Sequence, residues 1–127
     1  MSNFSENKIQ SIWEKAKIIN GQDPNVYRQD LADAWIERDQ YGKEGSFGWE
    51  IDHMFPEAKG GGDDSENLQP LQWENNRTKD DNFPKYSTSV SSNGTKYLKK
   101  DQNWEFTDSF ITTAKRLHPN NSFLNKI

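Results

Sequence analysis

Apolar residues in the first twenty positions recur with the period of an α-helix. They stand at i, i+3, i+4, i+7 and i+10, at Ile9, Ile12, Trp13, Ala16 and Ile19. Ser5 precedes this stripe with a side chain suited to capping a helix, and Asn20-Gly21 follows it as a stop signal. The pattern therefore predicts a helix from near Ser5 to near Asn20, followed by a loop in "GQDPNVY".

The next stretch, "RQDLADAWIERDQYG", has two interpretations. The spacing of its apolar residues fits a helix, whereas "AWIERD" fits a short strand. We favour the strand, because "YGKEGSFG" has the composition of a hairpin loop and leads into "GWEIDHM". In that second segment Trp49 and Ile51 fall on one face and Glu50 and Asp52 on the other. The alternation predicts a strand with Asp52 and His53 at its end.

A run of glycines separates this strand from a second strand and a short helix. Residues 60 to 62 are all glycine, and Asp63 and Asp64 follow them, so we expect the chain to reverse there in a turn. "NLQPLQW" is typical of a strand that Pro70 confines to a sheet edge or a bulge. "ENNRTKDD" has the length of two helical turns, and "NFP" ends it. The local prediction is strand, loop, strand and short helix.

The last third of the chain contains a hairpin signal and a helix. Asn93-Gly94 lies between two β-prone arms in "STSVSSNGTKYLKK", which predicts a β-hairpin. A final helix is predicted to begin at Thr107 or Asp108 and to end at His118-Pro119. Its apolar side consists of Phe110, Ile111, Ala114 and Leu117. Together with the N-terminal helix, these elements predict an α+β fold.

The composition favours one folded domain over residues 1–127. This length suits a single core, and although only 31% of residues are hydrophobic, 13% are aromatic and five are Trp. Large rings bury much apolar area per residue, so we expect a compact aromatic core. The chain has no cysteine, which excludes disulfides and Cys-ligated zinc.

Charge is unevenly distributed along the chain. The net charge is −4, but residues 1–76 carry 7 Lys and Arg against 15 Asp and Glu, and residues 77–127 carry 9 against 5. The first part is therefore acidic, and the basic part begins just after the Asp-His and glycine segments. Residues 1–10 show no apolar run like that of a signal peptide, and no segment has the length and apolarity of a membrane span. We expect a cytoplasmic protein with no membrane partner.

Asp52 and His53 are the residues best suited to chemistry. An imidazole with an ordinary pKa of about 6.5 accepts a proton at neutral pH, which makes His53 a candidate general base. Asp52 is a hard oxygen ligand of the kind that Mg²⁺ or Mn²⁺ prefers. Neighbouring strand residues point to opposite faces, so both can act on one substrate only if the strand ends or bends at this pair.

The segment "IDHMFPEAKGGGDDSENLQPLQWENNRTKDDNFP" resembles the HNH endonucleases, whose ββα-metal (His-Me finger) fold places two strands and a helix around one divalent ion. The matching positions are Asp52-His53, Pro56, Gly60-Gly61, Asn67-Leu68, Asn76 and Lys79. The last ligand position holds Asn where many members have His, so the chain is similar to the His-Asn-Asn subset that includes the HNH domain of the RNA-guided CRISPR nucleases. Its flanks are similar to those of small free-standing bacterial HNH proteins. The metal-finger core would span about residues 47–84, flanked by N- and C-terminal helices.

This resemblance implies a role for each matched residue. Asp52 and Asn76 would bind the metal, His53 would be the general base, and Asn67 would brace the loop and orient His53. Aspartate and asparagine supply only oxygen ligands, so Mg²⁺ is expected first, with Mn²⁺ as the alternative. The expected activity is hydrolysis of phosphodiester bonds, in DNA.

Three basic residues after the motif are candidates for nucleic-acid contact: Arg77, Lys79 and Lys85. Lysines on a short exposed helix are as often simply solvated. Glu50 is either an outer group near the metal or an exposed strand residue, and we favour the second.

A second hypothesis belongs to a different functional class. A catalytically silent protein with the same scaffold would engage a protein partner through the acidic N-terminal half. A nuclease should bind one divalent ion per chain and lose activity in EDTA, whereas the silent protein should be indifferent to metal. A protein inhibitor would be compatible with the nuclease, and the sequence leaves substrate form and oligomeric state open.

Overall fold

A computed structural model describes residues 3–127 and has an α+β architecture. Its α-helices are α1 (Glu6–Trp13), α2 (Trp73–Lys79) and α3 (Asp108–Leu117). Its strands are β1 (Lys17–Ile18), β2 (Tyr27–Gln29), β3 (Trp35–Glu37), β4 (Trp49–His53), β5 (Leu68–Gln72), β6 (Lys85–Asn93) and β7 (Lys96–Glu105). The strands form three small antiparallel sheets, of order β1-β2-β3, β4-β5 and β6-β7. The prediction of an α+β fold is therefore confirmed.

The first helix begins where predicted but ends early. The Ser5 side chain accepts a hydrogen bond from the Lys8 N–H, as an N-cap does. The predicted end near Asn20 is wrong, because the helix stops at Trp13 and the chain continues into β1. The Arg28 guanidinium donates to the carbonyl oxygens of Glu14 and Ala16, at 3.0 and 3.2 Å. The buried guanidinium thus binds two carbonyl oxygens that would accept backbone N–H groups if the helix continued for another turn.

The strand interpretation of "AWIERD" is confirmed by β3, but the predicted hairpin from it into β4 is wrong. β3 pairs with β2, and β4 pairs with β5. The connection from β3 to β4 is held by a backbone bond from the Glu37 N–H to the Phe47 carbonyl, at 3.0 Å, and by aromatic packing. The Phe47 ring lies edge-on to Tyr27 and Tyr97, at centroid distances of 5.5 and 5.8 Å. These long-range contacts stabilise a loop whose composition resembles a hairpin turn.

The main apolar core lies between α1, β3 and the β4-β5 sheet. Its buried members are Ile9, Ile12, Trp13, Ala16, Ile36, Trp49, Ile51 and Leu68. At its centre the rings of Trp13 and Trp49 are 5.3 Å apart and tilted by 46°, a separation at which aromatic pairs add to the stabilisation from area burial. Through Trp49 and Ile51, this core packs against β4, the strand that ends in Asp52 and His53.

The C-terminal part forms the predicted hairpin and helix. β6 and β7 pair around Asn93-Gly94, and α3 begins after Thr107, whose side chain caps it. A second apolar cluster joins this part to the segment after β4, through Phe55, Phe83, Ala114 and Leu124. Within residues 3–127, no helix has the length and apolar character needed to cross a membrane.

Candidate functional site

The β4-β5 sheet and α2 lie together beside a surface pocket. In the antiparallel register His53 lies opposite Leu68 and Asp52 opposite Gln69, and α2 follows β5 without a gap. This pocket has a volume of about 640 Å³. Of the residues that the sequence singles out, it is lined by Asp52, His53, Asn76, Arg77 and Glu50. The fold thus brings the candidate base and both candidate metal ligands to one cavity.

The His53 imidazole is fixed at the wall of this pocket. Its side chain is 11% exposed, and Nε2 lies 2.7 Å from Oδ1 of Asp63. The Glu57 carboxylate is farther from the same nitrogen, at 3.8 Å. In His53, Glu57 and Asp63, one atom of each side chain that could bind a metal ion lies within 4.8 Å of the other two. The sequence predicts Asp63 only as a turn residue in the segment of residues 60–64, here called the glycine loop, and does not reveal this contact with His53.

Asn67 is fully buried and joins two segments. Its Oδ1 accepts the Phe55 N–H at 2.8 Å, and its Nδ2 donates to the carbonyls of Phe55 and Gly62, both at 3.0 Å. The Met54 N–H donates to its backbone carbonyl at 2.8 Å. All four bonds hold the chain that directly follows His53 against the glycine loop. Asn67 therefore acts on His53 through the backbone, without touching the imidazole.

The Asp52 carboxylate is buried between two donors. Gln69 donates to its Oδ2 at 2.9 Å, and the Lys79 ammonium lies 3.2 Å from its Oδ1. Burial raises the pKa of the Asp52 carboxyl, and the charge of Lys79 opposes that shift. Each carboxylate oxygen has two lone pairs, so these contacts leave acceptor capacity on Asp52.

The prediction that Lys79 contacts nucleic acid needs correction. Its side chain is 0% exposed, and besides pairing with Asp52 its ammonium donates to the carbonyls of His53 and Met54, at 3.1 and 3.3 Å. A charge is retained in the interior only when it is paired and hydrogen-bonded, and Lys79 meets both conditions. Lys79 is a structural cation beneath the site and cannot reach a phosphate.

Asn76 is oriented by a carboxylate. Its Nδ2 donates to Oε1 of Glu50 at 2.9 Å, and only the nitrogen of an amide can make that bond. The other oxygen of Glu50 accepts from Arg77 at 3.0 Å, and Arg77 also pairs with Glu44 at 3.2 Å. The Asn76 nitrogen is therefore engaged by Glu50, and its amide oxygen is the atom available as a metal ligand. The favoured interpretation of Glu50 as an exposed strand residue is wrong, because its side chain is only 17% exposed and lines the pocket.

The remaining candidate contacts differ in accessibility. Arg77 is exposed at the pocket, though paired with two carboxylates. Lys85 is exposed at the start of β6 and lines a separate depression of about 530 Å³ with Tyr86 and Trp104. These two residues stay candidates for phosphate contact.

Comparison of the chain with protein-family models, curated proteins and solved structures finds no match. Any indication of function therefore comes from the residues of the pocket.

The residue before Asn76 has a different task. Asn75 is fully buried, and its Nδ2 donates to Oδ2 of Asp30 at 2.9 Å and to the carbonyl of Val90 at 3.0 Å. Its Oδ1 accepts the N–H groups of Ser89 and Val90, both at 2.9 Å. These bonds tie α2 to β6 and to the loop before β3. They fix the helix from which Asn76 projects.

Adjacent asparagines should therefore separate stability from function. Asn75→Ala is expected to lower the free energy of unfolding by about 2–4 kcal/mol, because it leaves several buried polar groups without partners. Asn76→Ala, the matched variant, should cost less than about 1 kcal/mol, since Asn76 is partly exposed and makes one side-chain bond. Urea unfolding of the two proteins measures the difference. Equal losses would contradict the division of roles.

Proposed function

We propose that the protein is a metal-dependent endonuclease of the HNH type that hydrolyses phosphodiester bonds in DNA. The observation that carries the proposal is the convergence of His53, Asp52 and Asn76 on one pocket at the end of a strand pair followed directly by a helix. A general base and oxygen ligands within one open cavity match what hydrolysis of a phosphodiester requires.

The donor atoms of the pocket fit a hard divalent cation. Asp52 offers carboxylate oxygens, and Asn76 offers an amide oxygen held in place through Glu50. Oxygen ligands of this kind favour Mg²⁺ or Mn²⁺ over softer metals. When bound, such an ion would polarise the scissile phosphate and stabilise the departing oxygen. Lys79 balances the Asp52 charge from behind and keeps that carboxylate in position.

His53 would supply the nucleophile. Its neutral imidazole takes a proton from a water molecule, and the resulting hydroxide attacks phosphorus in line with the departing 3′ oxygen. This direction of attack leaves a 5′-phosphate and a 3′-hydroxyl. Asn67 holds the backbone after His53 and limits the movement of the ring. Ligation of the cleaved ends by DNA ligase tests the chemistry, because ends of the opposite polarity are not joined.

The proposed substrate contacts come from the part of the chain that follows Asn76. Residues 77–127 carry 9 basic and 5 acidic side chains, and Arg77 and Lys85 are exposed there. A phosphate at the pocket would compete with Glu44 and Glu50 for Arg77. Salt should weaken DNA binding, as expected for contacts to phosphate.

The metal ligands are tested by Asn76→Ala. We expect this variant to bind Mg²⁺ at least about 10-fold more weakly, because it loses an oriented oxygen ligand. Asn82→Ala is the matched control, since Asn82 is exposed and lies outside the pocket. Calorimetric titration with Mg²⁺ and Mn²⁺ gives both affinities. An unchanged affinity in Asn76→Ala would remove Asn76 from the ligand set.

A further inference from the structure

The glycine loop places the carboxylate of Asp63 beside the imidazole of His53, the proposed general base. Asp63 lies 2.7 Å from Nε2 of His53, a distance typical of a charge-assisted hydrogen bond. An ionised carboxylate only accepts hydrogen bonds, so Nε2 must carry the proton. In a neutral imidazole the other nitrogen, Nδ1, then holds the lone pair.

We propose that Asp63 is a positioning residue that fixes His53 as the Nε2–H tautomer and leaves Nδ1 as the basic nitrogen. The catalytic consequence rests on the proposed nuclease function, whereas the tautomer does not. A carboxylate that holds the imidazole of a general base in the correct tautomer and orientation is a recurring device in hydrolases. Asp63 follows the glycines of the matched motif but is not itself one of the matched positions.

The loop that carries Asp63 is anchored on both sides of it. On one side, the Gly62 N–H donates to Nε2 of His118 at 2.9 Å, and the Gly62 carbonyl accepts from Asn67 at 3.0 Å. On the other, the Asp64 carbonyl accepts the Asn67 N–H at 2.8 Å. The position of Asp63 beside His53 is therefore set by backbone contacts of its neighbours.

The C-terminal segment holds the start of the same loop. Nδ2 of Asn121 donates to the Lys59 carbonyl at 2.7 Å. Gly60 has φ +104°, and a Cβ there would collide with the Asn121 amide. A Cβ at Gly61 would overlap the Phe55 carbonyl, so the loop lies directly against the chain that follows His53. Residues 107–127, to which the sequence assigns no function, thus support the geometry of the site.

The second nearby carboxylate does not replace Asp63. Glu57 lies 3.8 Å from the same nitrogen, which is beyond hydrogen-bond range. The shorter contact decides which residue fixes the orientation of the ring.

His118 provides an internal reference with the opposite tautomer. Its Nδ1 is 2.8 Å from the Ala114 carbonyl, which can only accept, and its Nε2 accepts the Gly62 N–H. His118 should therefore carry its proton on Nδ1. The chain contains two histidines, so the two ring systems can be assigned by comparison with the His53→Ala spectrum. The proposal predicts two neutral imidazoles with opposite tautomers.

Ring ¹⁵N chemical shifts of protein labelled at histidine test this directly, at a pH of about 8.5 where an unperturbed imidazole is neutral. Wild type should show Nε2–H for His53 and Nδ1–H for His118. Asp63→Ala should shift the His53 nitrogens towards a tautomer mixture and leave those of His118 unchanged. Asp64→Ala, the matched control on the neighbouring exposed carboxylate, should leave both rings unchanged.

Kinetics provide the second readout. With a labelled DNA duplex and Mg²⁺, Asp63→Ala should lower kcat about 10- to 100-fold at unchanged KM, and Asp64→Ala should match wild type. An Nδ1–H tautomer at His53 in wild type, or wild-type His53 shifts in Asp63→Ala, would overturn the proposal. If the ring shifts of both His53 and His118 changed in Asp63→Ala, the proposal would also be overturned, since Asp63 would then only support the loop. If wild type cleaves no nucleic acid, the nuclease function fails, while the ring shifts still decide the role of Asp63.

Discussion

Replacing His53 by alanine is expected to lower the rate of Mg²⁺-dependent DNA cleavage by about 10²- to 10⁴-fold, the usual contribution of a general base. The loss should appear in kcat, because the imidazole acts on the attacking water and not on binding of the duplex. The fold should survive, since Lys79 bonds to the backbone carbonyl of residue 53 and not to its side chain. Single-turnover cleavage of a labelled duplex measures the effect.

Two controls make this result specific to the base. The Mg²⁺ affinity of His53→Ala should remain within about 3-fold of wild type, because His53 is not a proposed ligand of the catalytic ion. Circular dichroism should show an unchanged fold. A variant that cleaves at close to the wild-type rate would remove His53 from the mechanism, even if the cleavage itself depends on metal.

Replacing Lys79 by methionine is expected to have the largest effect on stability, a loss of about 3–5 kcal/mol in the free energy of unfolding. Methionine keeps much of the volume but leaves the buried Asp52 carboxylate without its counter-charge. It also removes the donor to the carbonyls of His53 and Met54. Urea unfolding, read by tryptophan fluorescence, measures the loss.

The control for this variant is Lys85→Met, at an exposed lysine six residues away. It should change stability by less than about 0.5 kcal/mol. The double variant Asp52→Asn/Lys79→Met should recover part of the loss, because it no longer buries an unpaired charge. If Lys79→Met were no less stable than Lys85→Met, the buried ion pair would not be structural.

Elements governed by local chemistry could be predicted from the sequence. Ser5 and Thr107 cap helices because a side-chain oxygen satisfies an N–H within the next turn. Asn93-Gly94 turns a hairpin, and Pro70 lies in a strand of a two-stranded sheet, where both strands are edges. Each of these signals depends on neighbours a few residues away, so no knowledge of the tertiary fold was needed.

Features that depend on distant partners could not be predicted. Arg28 binds the carbonyls of Ala16 and Glu14, 12 and 14 positions away in the chain, just after α1 ends although its apolar stripe continues. β3 pairs with β2 and not with β4, because the order of strands in small sheets is decided by tertiary packing. Lys79 looks solvated in the sequence, and only the position of Asp52 across the fold explains its burial.

The residues of the candidate site likewise fall into those that the sequence indicates and those that depend on distant contacts. Asp52, His53 and Asn76 could be proposed from a linear motif, and all three line one pocket. The contacts of Asp63 with His53 and of Glu50 with Asn76 span 10 and 26 positions of the chain, so the sequence reveals neither of them. The one sequence signal that pointed to Asp63 was a carboxylate directly after a glycine run that follows the Asp-His pair.

The central claim, metal-dependent cleavage at this pocket, is tested most directly by incubating the purified protein with supercoiled plasmid in Mg²⁺ and in Mn²⁺, with EDTA and His53→Ala as paired controls. We expect nicked or linear DNA that disappears in both controls. A wild-type protein as inert as His53→Ala on plasmid, single-stranded DNA and RNA would contradict the claim. The account of a silent scaffold that binds a protein partner through its acidic N-terminal half would then be favoured.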